Sequence, residues 1–131
     1  MDLKVKDMNK INYLFECEWG EYCFVCEFDD ENVNYQVDTT IETLSNLEGS
    51  LDIKDVKKFN DYIKQANIEK WQLLNDLDIE DNTKWKLNYF KDDKEYIFEA
   101  KEGNWPYHYE ELINAILLCD KDAKVLKIGE E

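Results

Sequence analysis

Alternating apolar and polar residues mark the first forty positions of the chain as strands. The period of two runs from Lys10 to Glu18, returns from Tyr22 to Phe28, and appears a third time after a polar run at 29–32. The apolar positions are Ile11, Tyr13, Phe15 and Cys17, then Tyr22, Phe24, Cys26 and Phe28, then Val33, Tyr35 and Val37. Because the polar segments between these strands are too short for parallel crossovers, we predict an antiparallel meander.

Helical spacing follows in two places. The first helix is predicted from the recurrence of apolar residues after residue 52, with Ser50 or Asp52 as its N-cap. Its stripe consists of Ile53, Val56, Phe59, Tyr62 or Ile63, and Ala66, and Ile68, Trp71, Leu74 and Leu77 are expected to continue it after a break. The second helix is predicted over Tyr107 to Cys119, with Pro106 at its first position. Its stripe consists of Tyr109, Leu112, Ile113, Ile116 and Leu117.

Between the two helices the period of two returns. Trp85, Leu87 and Tyr89 alternate with polar residues, the charged run 91–94 has turn chemistry, and Tyr96, Phe98 and Ala100 mark a returning strand. The segment 39–50 has a weaker pattern, and Glu48, Gly49 and Ser50 are expected to form a loop tip. The tail from Asp120 to Ile128 is compatible with a final strand or with a docked extension.

The sequence therefore predicts an α+β fold in one domain spanning residues 1–131. Its element order is β-β-β-α-β-β-α, with one antiparallel sheet of about five strands and two helices packed on one face. The high aromatic content, 14% of residues, suits the layer between the sheet and two helices.

Charge narrows the choice of partner. Sixteen basic and 31 acidic side chains give a formal net charge of −15, with His108 counted as neutral. A field of this sign repels nucleic acid, and it accelerates association with a basic protein. The alternative interpretation is that the excess acid serves only solubility.

The N-terminal segment has no apolar run of signal-peptide length, and no stretch is long enough to span a membrane. We therefore expect a cytoplasmic protein with no membrane partner, whose Cys17, Cys23, Cys26 and Cys119 are free thiols in or near the core. In a strand, residues three apart face opposite ways, so Cys23 and Cys26 are not expected to share a metal.

The remaining motifs offer little catalytic chemistry. His108 is expected to be a surface residue at a helix start, and no phosphate-binding glycine pattern or calcium loop is present. We predict no catalytic residues, no metal site and no cofactor. Trp19, Trp71 and Trp85 are predicted to pack in the core or between helix and sheet. Trp105 follows a glycine and an asparagine in a loop, which makes it the aromatic candidate for contact with a partner.

The C-terminal half resembles a known group of proteins. Trp85, Leu87 and Tyr89, then a return strand, then Gly103, Asn104 and Pro106, and finally an apolar helix follow the pattern of a group of uncharacterised small acidic proteins of low-GC Gram-positive bacteria. The resemblance covers about residues 68–118 and carries no established activity. By analogy of fold and charge, the chain is also similar to immunity proteins, which neutralise toxins.

We therefore hypothesise a non-enzymatic interaction module, of which an immunity protein that blocks a basic toxin is one form. The predicted contact residues are Asp29, Asp30, Glu31, Asp76, Asp78, Glu80, Asp81 and Trp105. The alternatives are a DNA-mimicking anti-defence protein, which needs carboxylates spaced like phosphates, and an enzyme that uses a metal held by the carboxylate clusters.

Overall fold

The computed structural model describes residues 8–17, 19–71, 84–101, 106 and 108–123. Within these residues, six strands and two α-helices are defined. They are β1 (Asn9–Cys17), β2 (Gly20–Phe28), β3 (Val33–Thr39), β4 (Leu47–Ser50), α1 (Ile53–Ala66), β5 (Lys84–Lys91), β6 (Lys94–Lys101) and α2 (Tyr109–Cys119), with a 3-10 turn at Ile68–Lys70.

The six strands form one antiparallel sheet in the order β4-β3-β2-β1-β5-β6. The meander β1-β2-β3 is present as predicted, and β4 extends it at one edge. On the other side β1 pairs with β5, so that Tyr13 lies opposite both Phe24 of β2 and Leu87 of β5. The first strand of the chain is therefore central, and it joins the N-terminal meander to the C-terminal hairpin.

Both helices pack on the same face of the sheet, which confirms the predicted α+β architecture. The phenol groups of Tyr13 in β1 and Tyr109 in α2 are hydrogen-bonded, and the rings of Phe28 in β2 and Phe59 in α1 are 5.2 Å apart in an edge arrangement. The apolar positions of the alternating strands face the helices, where most of them are buried and Cys17, Tyr35, Tyr96 and Phe98 are partly buried. Their removal from water is the main driving force for folding.

Aromatic rings fill the layer between α2 and the C-terminal hairpin. The ring of Trp85 lies 4.9 Å from that of Tyr109, and the ring of Trp71 meets both of them and Phe98. The indole N–H of Trp71 donates to the carbonyl of Ala66 at 2.6 Å, which satisfies a polar group inside the apolar layer. Trp71 and Trp85 therefore pack as the sequence predicted.

The ends of the helices follow ordinary capping chemistry. Asp52 caps α1 by accepting hydrogen bonds from the backbone N–H groups of Lys54 and Asp55, as predicted, and Asn67 ends the helix in the left-handed conformation. At the end of α2, the buried carboxylate of Asp120 accepts a hydrogen bond from the Tyr22 hydroxyl at 2.9 Å. Burial and the adjacent Asp120 raise the pKa of Tyr22, which therefore stays a donor.

The sheet has six strands rather than about five because residues 47–50 form β4. The loop tip predicted at Glu48, Gly49 and Ser50 is therefore wrong. This edge strand is short and has a single large apolar residue, Leu47, so the sequence has no visible alternation there. Gly49 faces the ring of Tyr35 in β3, and a Cβ at this position would lie 2.9 Å from the Tyr35 hydroxyl.

Three local predictions need correction. Trp19 is 64% exposed in the β1–β2 connection, where no described element covers it. Ile53 is 68% exposed at the start of α1, although it lies on the predicted stripe. The second helix begins at Tyr109 instead of Tyr107, because His108 adopts the left-handed conformation and Tyr109 N–H donates to the carbonyl of Pro106.

The two isoleucines of α1 provide a test of how this helix is oriented. Ile63 is 6% exposed and Ile53 is 68% exposed, so the same substitution removes core packing at one site only. We expect Ile63→Ala to lower the free energy of unfolding by about 2–5 kcal/mol. Ile53→Ala is expected to change it by less than about 0.5 kcal/mol. Urea unfolding of both variants measures the difference, and equal effects would contradict the orientation.

Candidate functional site

The first predicted contact residues lie in the turn between β2 and β3. The Asp29 carboxylate accepts hydrogen bonds from the backbone N–H groups of Glu31 and Asn32, both at 2.8 Å. The side chain of Asn60 in α1 donates to the Asp29 carbonyl at 3.0 Å. Asp29 therefore shapes the turn and fixes it to α1, whereas Asp30 and Glu31 are exposed.

The other predicted contact residues, Asp76, Asp78, Glu80, Asp81 and Trp105, lie outside the described residues. Among the residues that are described, no group of three or more His, Cys, Asp and Glu side chains is placed to hold a metal ion. In the same part of the chain, no helix is long and apolar enough to cross a membrane.

This architecture leaves one sheet face that points away from both helices, here called the outer face. Alternation places every second residue of each strand on it. Its described side chains are Lys10, Asn12, Leu14, Glu16, Glu21, Cys23, Val25, Glu27, Asn34, Gln36, Asp38, Glu48, Ser50, Lys86, Asn88, Phe90, Glu95, Ile97 and Glu99. The contacts between helices and sheet described above lie on the opposite face.

Charge is distributed unevenly over the outer face. The described outer positions of β2, β3 and β4, here called the acidic half, include four carboxylates and no lysine. Glu27 forms an ion pair with Lys10 of β1 at 3.6 Å, and within the described residues Glu21, Asp38 and Glu48 form none. The half on β1, β5 and β6 mixes both signs. The negative potential of the sheet is therefore strongest on the acidic half.

Apolar side chains are interspersed among these charges. Val25 and Phe90 are each 38% exposed, Ile97 is 56% exposed, and Leu14 is half-buried between β2 and β5. Exposed apolar side chains on a charged sheet face supply apolar area that another protein can bury on binding. The outer face thus offers both a charge and an apolar contact area.

Cys23 reports the potential at one end of the acidic half. Its thiol lies on the outer face, three residues from the buried Cys26, which confirms that the two sulfurs point to opposite faces. The prediction that all four thiols lie in or near the core is wrong for Cys23. Partial burial raises the pKa of Cys23, and the carboxylates of Asp38 and Glu21 raise it further. These two acids therefore act on the same small area.

The exposed Trp19 lies at this end of the sheet. The hairpin closes with Cys17 opposite Gly20, and the β2 residue that follows is Glu21. The backbone N–H of Glu21 donates to Thr40 Oγ1 at 2.9 Å, and the Glu21 carbonyl accepts from Thr40 N–H and Thr39 Oγ1. The chain beside Trp19 is therefore tied to the end of β3.

Comparison with known proteins gives no further assignment. No family model matches this chain, and a search of the curated proteins finds no match. The site is therefore defined by its own geometry.

The residues of the acidic half were missed at the level of sequence because they are not consecutive. Glu21, Asp38 and Glu48 are separated by ten or more residues along the chain, and only the strand register brings them to one surface. The sequence does contain a signal, namely the polar positions that alternate with the apolar positions of each strand. Acidic residues at those positions predict an acidic face once the strand order is known.

Alkylation of Cys23 measures the potential of the acidic half. Because the Cys23 pKa is raised, less thiolate is present at pH 8 than in an unperturbed cysteine, and iodoacetamide should react more slowly. We expect Asp38→Asn to lower this pKa and to accelerate the reaction, in a Cys17→Ser background that removes the other half-buried thiol. Asp61→Asn on α1 is the control, and an equal acceleration by both variants would contradict a local effect of Asp38.

Proposed function

We propose that this protein is a non-enzymatic interaction module that binds a basic protein through its outer face, and that its role is to neutralise a toxin as an immunity protein does. The observation that supports this proposal is the outer face, where the acidic half presents carboxylates without lysines and where Val25, Phe90 and Ile97 are exposed apolar side chains. Steering by charge and burial of apolar area are the two requirements for fast and lasting protein association.

The sign of the charge selects the class of partner. With a net charge of −15, the molecule repels nucleic acid, anionic lipid and a second copy of itself, and it attracts a protein of opposite charge. A toxin that acts on nucleic acid has to carry such a positive surface, because phosphate binding depends on lysine and arginine. A protein that covers this surface blocks access of the substrate.

The rigid sheet favours a role as an inhibitor. Each strand of the acidic half is hydrogen-bonded to a neighbour over its length, and the core beneath it is filled by aromatic side chains. Partners that change little in shape on binding lose little conformational entropy, and many tight protein inhibitors are of this kind. The carboxylates are therefore held in place before the partner arrives.

The test uses the protein encoded by the reading frame directly upstream of the gene. Its expression alone should arrest bacterial growth, and co-expression with the wild-type chain should restore growth. We expect the association rate of the purified pair to fall by about tenfold or more between low and high ionic strength, because salt screens the steering field. A harmless upstream product would contradict the immunity role, and a rate indifferent to salt would contradict steering.

Two double variants of equal net charge test whether the acidic half itself accelerates association with the partner. Glu21→Gln with Asp38→Asn neutralises the acidic half, and Asp61→Asn with Glu110→Gln neutralises exposed acids of the two helices. Each pair removes two negative charges. We expect the first pair to slow association several-fold and to weaken the rescue of growth, and the second to change both only slightly. Equal effects would show that net charge alone is responsible.

A further inference from the structure

We infer that Trp19 is the anchor of this interaction, and that its indole stacks on an arginine side chain of the basic partner whose guanidinium also meets the carboxylates of Glu21 and Asp38. The inference rests on the proposed function and adds the chemistry of the contact. It is carried by the exposure of Trp19, by the way the hairpin end is held, and by the acids beside it.

Exposure sets Trp19 apart from the other described tryptophans. Trp71 and Trp85 are buried in the aromatic layer, whereas Trp19 is 64% exposed at the end of a hairpin. Leaving so large an apolar surface in water is unfavourable for the free molecule, and the fold gains nothing visible from it. Tryptophan is also the side chain most enriched among residues that dominate binding energy.

The hairpin end is held in one position. Gly20 has a φ of +135°, and a Cβ at this residue would lie 2.6 Å from Thr40 Oγ1. Glycine therefore allows the hairpin to approach the end of β3 closely enough for Thr39 and Thr40 to hydrogen-bond to Glu21. Because Gly20 and Glu21 are held in this way, the backbone that follows Trp19 has little conformational entropy to lose on contact.

The acids beside Trp19 select arginine. Asp38 lies opposite Cys23 in the register of β2 and β3, and Glu21 lies two residues before Cys23 on the same face, so the two charges surround one small area near the hairpin end. A guanidinium has a flat surface that stacks on an indole and N–H groups at its rim that bind carboxylates. An ammonium group matches the charge but not the flat surface. A second copy of the chain and an anionic membrane are both repelled by the same acids.

The test uses fluorescein-labelled oligo-arginine and oligo-lysine peptides of equal length, with binding followed by fluorescence anisotropy at physiological salt. We expect Trp19→Ala to weaken oligo-arginine binding by about fivefold or more and oligo-lysine binding by less. Trp19→Phe should lie between the wild type and Trp19→Ala. Ile53→Ala, which removes an equally exposed apolar side chain on α1, is the control and should bind like the wild type.

A second measurement follows the indole N–H resonances of the ¹⁵N-labelled protein. The Trp19 signal, identified by its loss in Trp19→Ala, should shift on addition of oligo-arginine, while those of the buried Trp71 and Trp85 stay in place. The inference about Trp19 is overturned if Trp19→Ala binds oligo-arginine like the wild type. It is also overturned if the Trp19 signal shifts only with phosphatidylglycerol vesicles and not with oligo-arginine. Loss of binding in the Glu21→Gln, Asp38→Asn variant with no effect of Trp19→Ala overturns the anchor and leaves the proposed function standing.

Discussion

The helices cover the sheet on one face only, and this constraint determines the rest of the molecule. Each strand must present apolar side chains to the helices at every second position and mostly polar side chains to water at the others. The central strand β1 buries Ile11, Tyr13 and Phe15 between neighbours on both sides. A shift of one residue in its register would exchange the two faces, so the hydrophobic core also fixes which side chains the outer face displays.

The same constraint explains which parts of the fold were predictable. The strands of the meander, the hairpin with its turn at Asp92 and Asp93, the Asp52 cap and the stripes of both helices follow from local periodicity and turn chemistry. The strand order depends on pairing between β1 and β5, which are about 70 residues apart, and no local pattern encodes such a contact. The edge strand β4 is held by backbone hydrogen bonds to β3, so its side chains need not alternate.

The candidate site was less predictable than the fold. Consecutive acids such as Asp29, Asp30 and Glu31 are conspicuous in a sequence, yet in this turn the Asp29 carboxylate satisfies backbone N–H groups. The acids of the outer face stand alone among polar neighbours and become a surface only through the register. Trp19 was predicted to pack in the core because aromatic residues usually are buried. Its exposure at a hairpin end depends on which elements lie nearby, and only the tertiary structure shows that no described element covers it.

Charge and aromatic surface contribute to different steps of association. In the proposed function, long-range attraction by the acidic half acts before contact and raises the rate of encounter, and added salt weakens this attraction by shortening the Debye length. A stacked indole acts only after contact, is largely insensitive to salt, and prolongs the lifetime of the complex. In the proposed complex, a surface that carries both, on a sheet that does not need to rearrange, supplies fast capture and slow release together. Neutralisation of a toxin requires both, because a slow inhibitor or a short-lived complex leaves active toxin in the cell.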